Sequence, residues 1–430
     1  SSFWKTEADA EAALNGMYSR FRNDIPVHSW MYWYEARTGN IAPGLQSGGV
    51  GSYIDNNLTS NMNNANWQPF YKIVSSANSI IQYVPTIDFS NEVKKNEILA
   101  QAYFIRAYSY FNLTRIWGEV PIVTAFIDSD THPQLYPSKS SVENVFELIK
   151  QDINQAEELY NSDRTTDNTR VSRAAILMLK AEIYSWLSKV HSEGDEALNV
   201  ADSAIEEVLT FSYDLLDDYA MVFSDDYNNE IIFSIHHDLL ENANPIPVGV
   251  SHTLQFSDLF YENYRNRTEN DKRAEVISED MELGSNNFRW TNKFMGELNG
   301  NVRAFTSNTL VYRFSEALLF KAEILAERSM VSESVEILNR VVARAYGNPS
   351  FYADNISVDE LKTLILEERI IEFAGEAKSW FDLIRFGEVF NRVPSLSGRE
   401  NDNEGNILYM PVHHSVFSTN PNIEQTPGFD

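Results

Sequence analysis

Apolar residues recur at helical spacing in several long segments, and this periodicity constrains the fold more than any other feature. Leu99, Tyr103 and Ala107 follow the pattern within the segment 92–117, and later segments repeat it. The segments form two-helix units at 67–84 with 92–117, 140–160 with 171–189, and 308–328 with 332–346. The predicted fold is therefore all-α dominated, with stacked helix pairs of the tetratricopeptide type, long irregular loop insertions and small β-hairpins.

Local signals mark several element boundaries. Pairs of serine and glutamate three residues apart predict capping boxes at helix starts, and glycines predict helix ends. These residues are Ser140 with Glu143, Ser357 with Glu360, Gly194 and Gly347. A β-like run covers 231–235.

Two long regions, 38–66 and 223–307, have no periodic apolar face, and the chain after Gly398 is also irregular. Loops of this length inside a compact protein are usually functional or disordered. We expect one domain over 1–430. Within it, the predicted segments are a helical scaffold at about 6–23, 67–117, 140–210 and 308–390, ligand-binding loops at about 28–66 and 223–307, and an irregular segment at 398–430.

Composition excludes several classes of function. The chain has 34 Lys+Arg against 62 Asp+Glu and a formal net charge of -28, which disfavours nucleic acid and anionic lipid as partners. Cysteine is absent, so disulfides and thiol catalysis are excluded. The sequence has no run of eighteen apolar residues, so no membrane-spanning helix is predicted. We expect no cofactor; calcium at the acidic pairs 217–218 and 225–226 is the alternative to solvated loop charge.

Five blocks of sequence, in order along the chain, resemble the SusD/RagB family. They are WQPFYKIVSSANSII (Trp67–Ile81), LAQAYFIRAYSYFNLTRIWGEVPIV (Leu99–Val123), VYRFSEALLFKAEILAE (Val311–Glu327), ERIIEFAGEAKSWFDLIRFG (Glu368–Gly387) and LYMPVHHSVFSTNPNIEQTPGF (Leu408–Phe429). Ala377, Lys378 and Thr426 depart from the residues common in the family, and the chain is short for it.

The resemblance implies a surface glycan-binding lipoprotein of the outer membrane of Bacteroidota, without catalytic activity. It implies an oligosaccharide or polysaccharide ligand and a SusC-like, TonB-dependent transporter as partner. It also implies a lipid-bearing cysteine upstream of Ser1 as the only attachment to the membrane. A signal peptide is not evident in the sequence, so the anchor is expected outside it.

Carboxylates and arginines are concentrated in the block at 368–387. Glu368, Arg369, Glu372, Glu376, Asp382 and Arg385 lie at helical spacings that permit ion pairs around Trp380 and Phe381. Paired acids also hydrolyse glycosidic bonds. We interpret these residues as structural, because such networks arise in scaffolds as well as in active sites.

Aromatic residues in loops are the candidate ligand platforms, with polar neighbours for sugar hydroxyls. For each ring, packing in the core is the alternative. The resemblance further implies that the two loop regions converge. The candidates are Trp30, Trp33, Tyr34, Arg37, Asn40, Tyr53, Asp55, Trp67, Arg289 and Trp290, with Trp290 the preferred platform of the second loop region and Glu35 a further rim candidate.

The sequence leaves two alternatives to glycan capture. A peptide-capturing member of the same family is the first, because helical repeat grooves also bind peptides. A secreted α/α-barrel glycosidase is the second, and it would need regularly spaced helical hairpins and a pair of carboxylates. The uneven spacing and the two long irregular regions argue against this enzyme.

Overall fold

The structure is a computed structural model that describes residues 3–24, 27–45, 48–161, 167–240, 244, 253–266, 270–283, 286–300 and 302–429. Its helices are α1 (Glu7–Asp24), α2 (Val27–Tyr34), α3 (Gly51–Ile54), α4 (Gln68–Tyr83), α5 (Glu92–Trp117), α6 (Val142–Leu159), α7 (Arg173–Val190), α8 (Gly194–Leu209), α9 (Asp258–Phe260), α10 (Phe314–Glu327), α11 (Val331–Tyr346), α12 (Val358–Glu372), α13 (Ser379–Arg385), α14 (Val389–Arg392) and α15 (His414–Thr419). Its strands are β1 (Ile41–Pro43), β2 (Val120–Pro121), β3 (Lys139–Ser140), β4 (Ile231–Ile235), β5 (Leu254–Phe256), β6 (Ile277–Leu283), β7 (Asn286–Thr291), β8 (Glu297–Asn299), β9 (Val302–Ala304) and β10 (Thr309–Arg313).

Packed helix pairs dominate the fold, as the periodicity predicts. Helix α4 packs along α5, α7 along α8, and α10 along α11. The predicted pairing of 140–160 with 171–189 is only partly right, because α6 packs mainly on α5 and α7 mainly on α8. None of the helices in the described ranges combines the length and the apolar character needed to cross a membrane.

Helix α5 is the central element of the scaffold. Between Ile98 and Trp117 only Tyr103 is more than slightly exposed. A helix that is covered on all sides must satisfy its polar side chains internally. Arg106 does so by donating from Nε and Nη2 to the two carboxylate oxygens of Asp152 on α6, both at 2.7 Å.

Two of the four predicted boundary signals are confirmed. Ser357 accepts a hydrogen bond from the Glu360 amide at 3.1 Å, and Gly347 ends α11 with a φ of 64°. The capping box at Ser140 is one residue out of register, since Ser141 caps α6. Gly194 does not end a helix but begins α8, because α7 ends four residues earlier at Val190.

The strands of the described residues pair as antiparallel two-stranded ribbons. Strand β4 has the predicted bounds and pairs with β10, whose residues are all buried. The sequence predicts a helix from 308, but the first residues of that segment, Thr-Leu-Val-Tyr-Arg, form β10. Threonine, valine and tyrosine favour a strand when a partner strand is available.

The predicted ion pairs of the block 368–387 are confirmed as part of the core. Arg369 pairs with Asp382 at 2.9 Å, and Arg385 pairs with Glu323 on α10 at 2.9 Å. Each of these side chains is at most 3% exposed. They lie within the same interior as the apolar residues of α5, α10 and α12, so they hold helices together away from solvent.

Candidate functional site

Helix α2 turns the aromatic segment that follows residue 27 into the core. Trp33 is 2% exposed, donates its indole N–H to the Asn64 carbonyl at 2.7 Å and packs edge-on against Trp117. Trp30 and Tyr34 are similarly buried, and the Tyr34 hydroxyl donates to Asn112 Oδ1 at 2.8 Å. The prediction that these rings form an exposed platform is wrong, because α2 is covered on the faces that carry them.

The polar candidates that follow α2 form hydrogen bonds with segments that are distant in sequence. Arg37 is buried, donates to the carbonyls of Ile407 and Leu408 at 2.7 and 2.9 Å, and lies 4.1 Å over the Trp380 ring. Asn40 is also buried, and its carbonyl accepts from the Ser257 amide at 2.9 Å. Neither side chain is placed to bind a sugar hydroxyl.

Tyr53 lies in the short helix α3, and Asp55 directly follows that helix. Tyr53 is buried against Tyr32, with ring centroids 4.8 Å apart, and its hydroxyl accepts from Asn64 Nδ2 at 3.3 Å. Asp55 is exposed, and its carbonyl accepts from Arg399 Nη1 at 3.0 Å. Only the Asp55 carboxylate of this pair faces solvent.

The two loop regions converge, as the resemblance implies, but their rings are packed together. Strand β1 pairs with β5, with Ile41 opposite Phe256. Trp290 is fully buried and stacks on Phe256 at a centroid distance of 4.7 Å. The prediction that Trp290 is an exposed platform is therefore wrong. Arg289 remains partly exposed and forms an ion pair with Asp258.

An open groove runs along one face of α4, and we call it the α4 groove. It consists of two adjoining cavities of about 390 and 360 Å³ that share Gln68, Tyr71 and Ser75. The larger cavity is also lined by Asn66, Trp67, Val74, Pro121, Val123, Ala125, Ile127, Gln134, Leu135, Tyr136, Pro137, Ser415, Val416, Thr419, Asn420 and Ile423. The smaller is also lined by Arg20, Lys72, Ser76, Ser79 and Phe126.

The amphipathic pattern of α4 creates one wall of this groove. Phe70, Ile73, Ala77 and Ile80 are fully buried on the side of α4 that faces the core. Residues 68, 71, 72, 75, 76 and 79 lie at spacings of three and four on the other side and line the groove. The opposite wall comes from the loop between β2 and β3 and from α15 with the residues after it.

Three aromatic side chains lie at different depths of the larger cavity. Trp67 is at the base and only 4% exposed, and its indole N–H makes no hydrogen bond to any residue that the structure describes. Tyr71 packs edge-on against Trp67 and donates its hydroxyl to the Pro121 carbonyl at 2.7 Å. Tyr136 is at the rim and 52% exposed. A flat ring at the rim suits the C–H face of a sugar.

Neutral polar groups complete the larger cavity, and none of the described residues that line it is charged. The Gln134 side chain is fixed because its Oε1 accepts from the amides of Thr124 and Ala125, both at 3.1 Å. Gln68 and Ser75 make no side-chain hydrogen bonds within the described part of the chain. In a chain of net charge -28, an uncharged lining favours a neutral ligand rich in hydroxyl groups.

Two cations share one carboxylate at the far end of the α4 groove. Arg20 and Lys72 both approach Asp24, with N–O distances of 3.1 and 3.6 Å. Among the residues that the structure describes, no group of three or more His, Asp or Glu side chains is placed to hold a metal ion.

Two family models match separate parts of the chain. A model described as starch-binding and associating with the outer membrane matches residues 12–185, and the SusD family model matches residues 260–429. The chain belongs to the SusD/RagB family. SusD-like protein P2 of Formosa agariphila is 29% identical over 100% of this chain and 94% of its own length. SusD-like protein P38 of the same organism is 25% identical over 98% of this chain and 92% of its own length.

Solved structures of SusD-like proteins share the fold. A SusD superfamily protein from Bacteroides fragilis superposes with a TM-score of 0.84 at 24% identity, covering 100% of both chains. A laminarin-binding SusD-like protein superposes with a TM-score of 0.80 at 21% identity, covering 99% of this chain and 100% of that one. The predicted stacked-helix fold of the SusD/RagB type is thus confirmed.

Of the candidates named from sequence, Trp67 is the one that lines the α4 groove of this SusD/RagB chain. Sequence reasoning missed Tyr71, Gln134, Tyr136 and Asn420. Tyr71 lies in the same block as Trp67, and Asn420 lies in the C-terminal block that resembles the family. The loop HPQLYP, where Gln134 and Tyr136 stand between prolines, was a usable signal for a fixed surface loop.

Glu35, a candidate rim residue in the sequence, instead caps α13 in the SusD/RagB core. Its Oε1 accepts from the amides of Lys378 and Ser379 at 3.1 and 3.4 Å and from Ser379 Oγ at 3.2 Å. Burial raises the pKa of Glu35 from 4.5 to about 7, because these hydrogen bonds only partly offset desolvation.

This pKa predicts a pH-dependent stability. Between pH 4.5 and 7 the folded protein keeps the Glu35 proton that the unfolded chain releases, so stability falls as pH rises through this window. Glu35→Gln is expected to remove this dependence of stability on pH, because glutamine does not titrate. From pH 5 to pH 8 we expect wild type to lose on the order of 3 kcal/mol relative to the variant. Urea denaturation at both pH values measures this. Exposed Glu333→Gln is the control. If the difference in unfolding free energy between wild type and Glu35→Gln is the same at pH 5 and pH 8, the raised pKa of Glu35 is contradicted.

Proposed function

We propose that this chain captures a neutral glycan in the α4 groove without cleaving it. The observation that carries the proposal is an open, aromatic-lined groove whose larger cavity has no charged residue in the described part of its lining. Membership of a family whose model is described as starch-binding supports it, as does the fold shared with a laminarin-binding protein. The ligand class is a glucan-like oligosaccharide.

The lining also argues against hydrolysis in the groove. Glycoside hydrolases place two carboxyl groups on either side of the scissile bond. Among the residues that the structure describes, the lining of the α4 groove includes no Asp or Glu, and its charged members are Arg20 and Lys72. A sugar held there meets no general acid and no carboxylate nucleophile.

Binding to an open groove desolvates only part of the ligand. We therefore expect dissociation constants in the micromolar to millimolar range, which correspond to roughly 4–8 kcal/mol. Such affinities permit release to a transporter. We propose that the chain is anchored at the outer surface of the outer membrane and delivers its ligand to a SusC-like, TonB-dependent transporter. Co-purification of this transporter with the native chain from outer membranes is the corresponding test.

Titration calorimetry with laminarin-derived and starch-derived oligosaccharides tests capture in the α4 groove. Wild type is expected to bind at least one of them. Tyr136→Ala is expected to weaken that binding roughly tenfold, on the scale of about 1–3 kcal/mol for the stacking of one ring. Met221→Ala is the matched control, since Met221 is 51% exposed and lies outside the groove.

Three results would contradict the proposal. One is unchanged affinity in Tyr136→Ala for an oligosaccharide that wild type binds. Another is binding of peptides but of no neutral oligosaccharide, which would favour the peptide-capturing alternative. Release of reducing sugar during the titration would show catalysis and would exclude passive capture.

A further inference from the structure

The smaller cavity of the α4 groove has an aromatic side chain of its own. Phe126 lines this cavity, whereas its neighbours Ala125 and Ile127 line the larger one. Phe126 is half-buried, so the protein covers one part of it and a ligand in the cavity can contact another part. The groove therefore carries a further ring in addition to those around Trp67.

Other aromatic side chains support the Phe126 ring from behind. It packs edge-on against Tyr83 at a centroid distance of 6.1 Å, and Tyr83 stacks on Trp4 at 5.2 Å. Aromatic pairs at such distances are favourable beyond the area that they bury. A ring that is already fixed loses little conformational entropy when a ligand binds, so Phe126 is suited to be a pre-formed platform.

Two glutamine side chains fix the backbone that carries Phe126. Gln82, in the last turn of α4, accepts from the Phe126 amide through Oε1 at 3.2 Å. Gln134 Oε1 accepts from the amides of the two preceding residues, both at 3.1 Å. Three consecutive amides are thus bonded to side chains from both walls of the groove. The position of Phe126 is therefore set relative to both cavities.

The two groups of rings lie towards opposite ends of α4. Tyr71, which packs against Trp67, is near the start of the helix, and Tyr83, which packs against Phe126, is its last residue. The helical rise from residue 71 to residue 83 is about 18 Å. One hexose unit of an extended glycan advances the chain by about as much as one helical turn, roughly 5 Å. The separation of the rings therefore matches roughly three to four sugar units.

Polar side chains that are open to solvent join the two cavities. Both cavities are lined by Gln68, Tyr71 and Ser75, so they meet on one face of α4. Gln68 is exposed and Ser75 is half-buried, and neither side chain makes a hydrogen bond to a residue that the structure describes. Water that solvates these groups can be replaced by sugar hydroxyls, which make equivalent hydrogen bonds.

We propose that the α4 groove binds a run of about four consecutive sugar units on two ring platforms, Tyr136 in the larger cavity and Phe126 in the smaller. Gln68 and Ser75 bind hydroxyl groups of the units that cross from one cavity to the other. The inference rests on the proposed capture of a neutral glycan and adds a minimum length of the ligand. A disaccharide reaches one platform only, whereas a longer oligosaccharide reaches both.

Titration calorimetry with laminarin-derived and starch-derived oligosaccharides of two to six units tests this length. In the series that wild type binds, the affinity is expected to rise on the order of tenfold from two to five units, the scale on which one stacked ring acts. Phe126→Ala is expected to lose that gain, so that it binds the longer oligosaccharides roughly tenfold more weakly than wild type but the disaccharide with similar affinity. Tyr136→Ala is expected to weaken binding at every length.

Matched variants separate a ring platform from general packing. Phe126→Tyr keeps a flat ring and is expected to bind the longer oligosaccharides as wild type does. Phe126→Leu keeps an apolar side chain without a ring and is expected to resemble Phe126→Ala. Phe89→Ala is the control, because Phe89 is also half-buried but lies outside the groove. Melting curves followed by circular dichroism show whether each variant is folded at the titration temperature.

The outcomes separate this inference from the proposed function. If wild type binds two and five units equally well, or if Phe126→Ala weakens all lengths to the same extent or none, the groove has no second platform. Capture of a neutral glycan can still hold in that case, and Tyr136→Ala reports on it. If wild type binds no neutral oligosaccharide of any length, both proposals fail.

Discussion

Replacing Arg313 with methionine is expected to lower the free energy of unfolding by about 3–5 kcal/mol, the usual loss when one member of a buried ion pair is removed. Arg313 ends β10 and is 1% exposed. It donates to Glu230, Glu372 and Glu376 at 2.9, 2.7 and 2.9 Å. Methionine fills a similar volume but leaves these carboxylates without the cation that joins them.

Urea denaturation followed by tryptophan fluorescence measures the loss. Arg340→Met is the matched control, because Arg340 pairs with Asp214 at the surface and exposed pairs contribute at most about 1 kcal/mol. An Arg313→Met variant within 1 kcal/mol of wild type would show that Arg344, Arg273 and Lys293 hold the glutamates without it. The structural interpretation of the ion-pair network would then need revision.

Trp290→Ala is expected to destabilise the protein by about 3–5 kcal/mol, the range for deleting a large ring from a core. The Trp290 side chain is fully buried on β7 and stacks on Phe256 of β5. Its removal leaves a cavity where the two loop regions are joined. Trp290→Phe keeps a ring against Phe256 and is expected to be destabilised less.

The same two variants separate packing from ligand binding. At a temperature where both remain folded, glycan affinity in Trp290→Phe is expected to equal that of wild type. A stable Trp290→Ala protein with greatly reduced glycan affinity would contradict the structure and would restore the prediction that Trp290 is an exposed platform. Melting curves and titration calorimetry on the same preparations decide between these outcomes.

The helical scaffold could be predicted because its signal is local. Helices α4, α5, α6 and α7 begin and end within two residues of the predicted segments, since apolar spacing reports a helix face wherever it packs. The predicted helix at 309–313 is wrong because the partner of this strand, β4, lies more than seventy residues earlier. A strand whose partner is distant in sequence leaves little local signature.

Whether the aromatic residues are buried or exposed could not be predicted from the local sequence. Four large rings within 30–34 exceed what one face of an amphipathic helix would bury, which suggested exposure. The structure buries three of them because α2 is enclosed by neighbouring elements, including α13 and the turn near residue 64. Whether a helix is covered on one side or on several depends on tertiary packing.

The α4 groove could be predicted only in part for the same reason. Trp67, which caps α4, and Tyr71 on that helix lie in one sequence block, although only Trp67 is a candidate from the sequence. The opposite wall joins two segments far apart in sequence, as when Asn420 Nδ2 donates to the Pro137 carbonyl across 283 residues. Tyr136 at the rim is placed by that contact, so its relation to Trp67 appears only in the folded protein.

A crystal structure of the protein with the tightest-binding neutral oligosaccharide tests the central claim most directly. The account predicts an intact oligosaccharide in the α4 groove, with a sugar ring against Tyr136 and hydroxyl groups within hydrogen-bond distance of Gln68 or Ser75. An oligosaccharide bound outside this groove, or one cleaved at a glycosidic bond, would contradict the account.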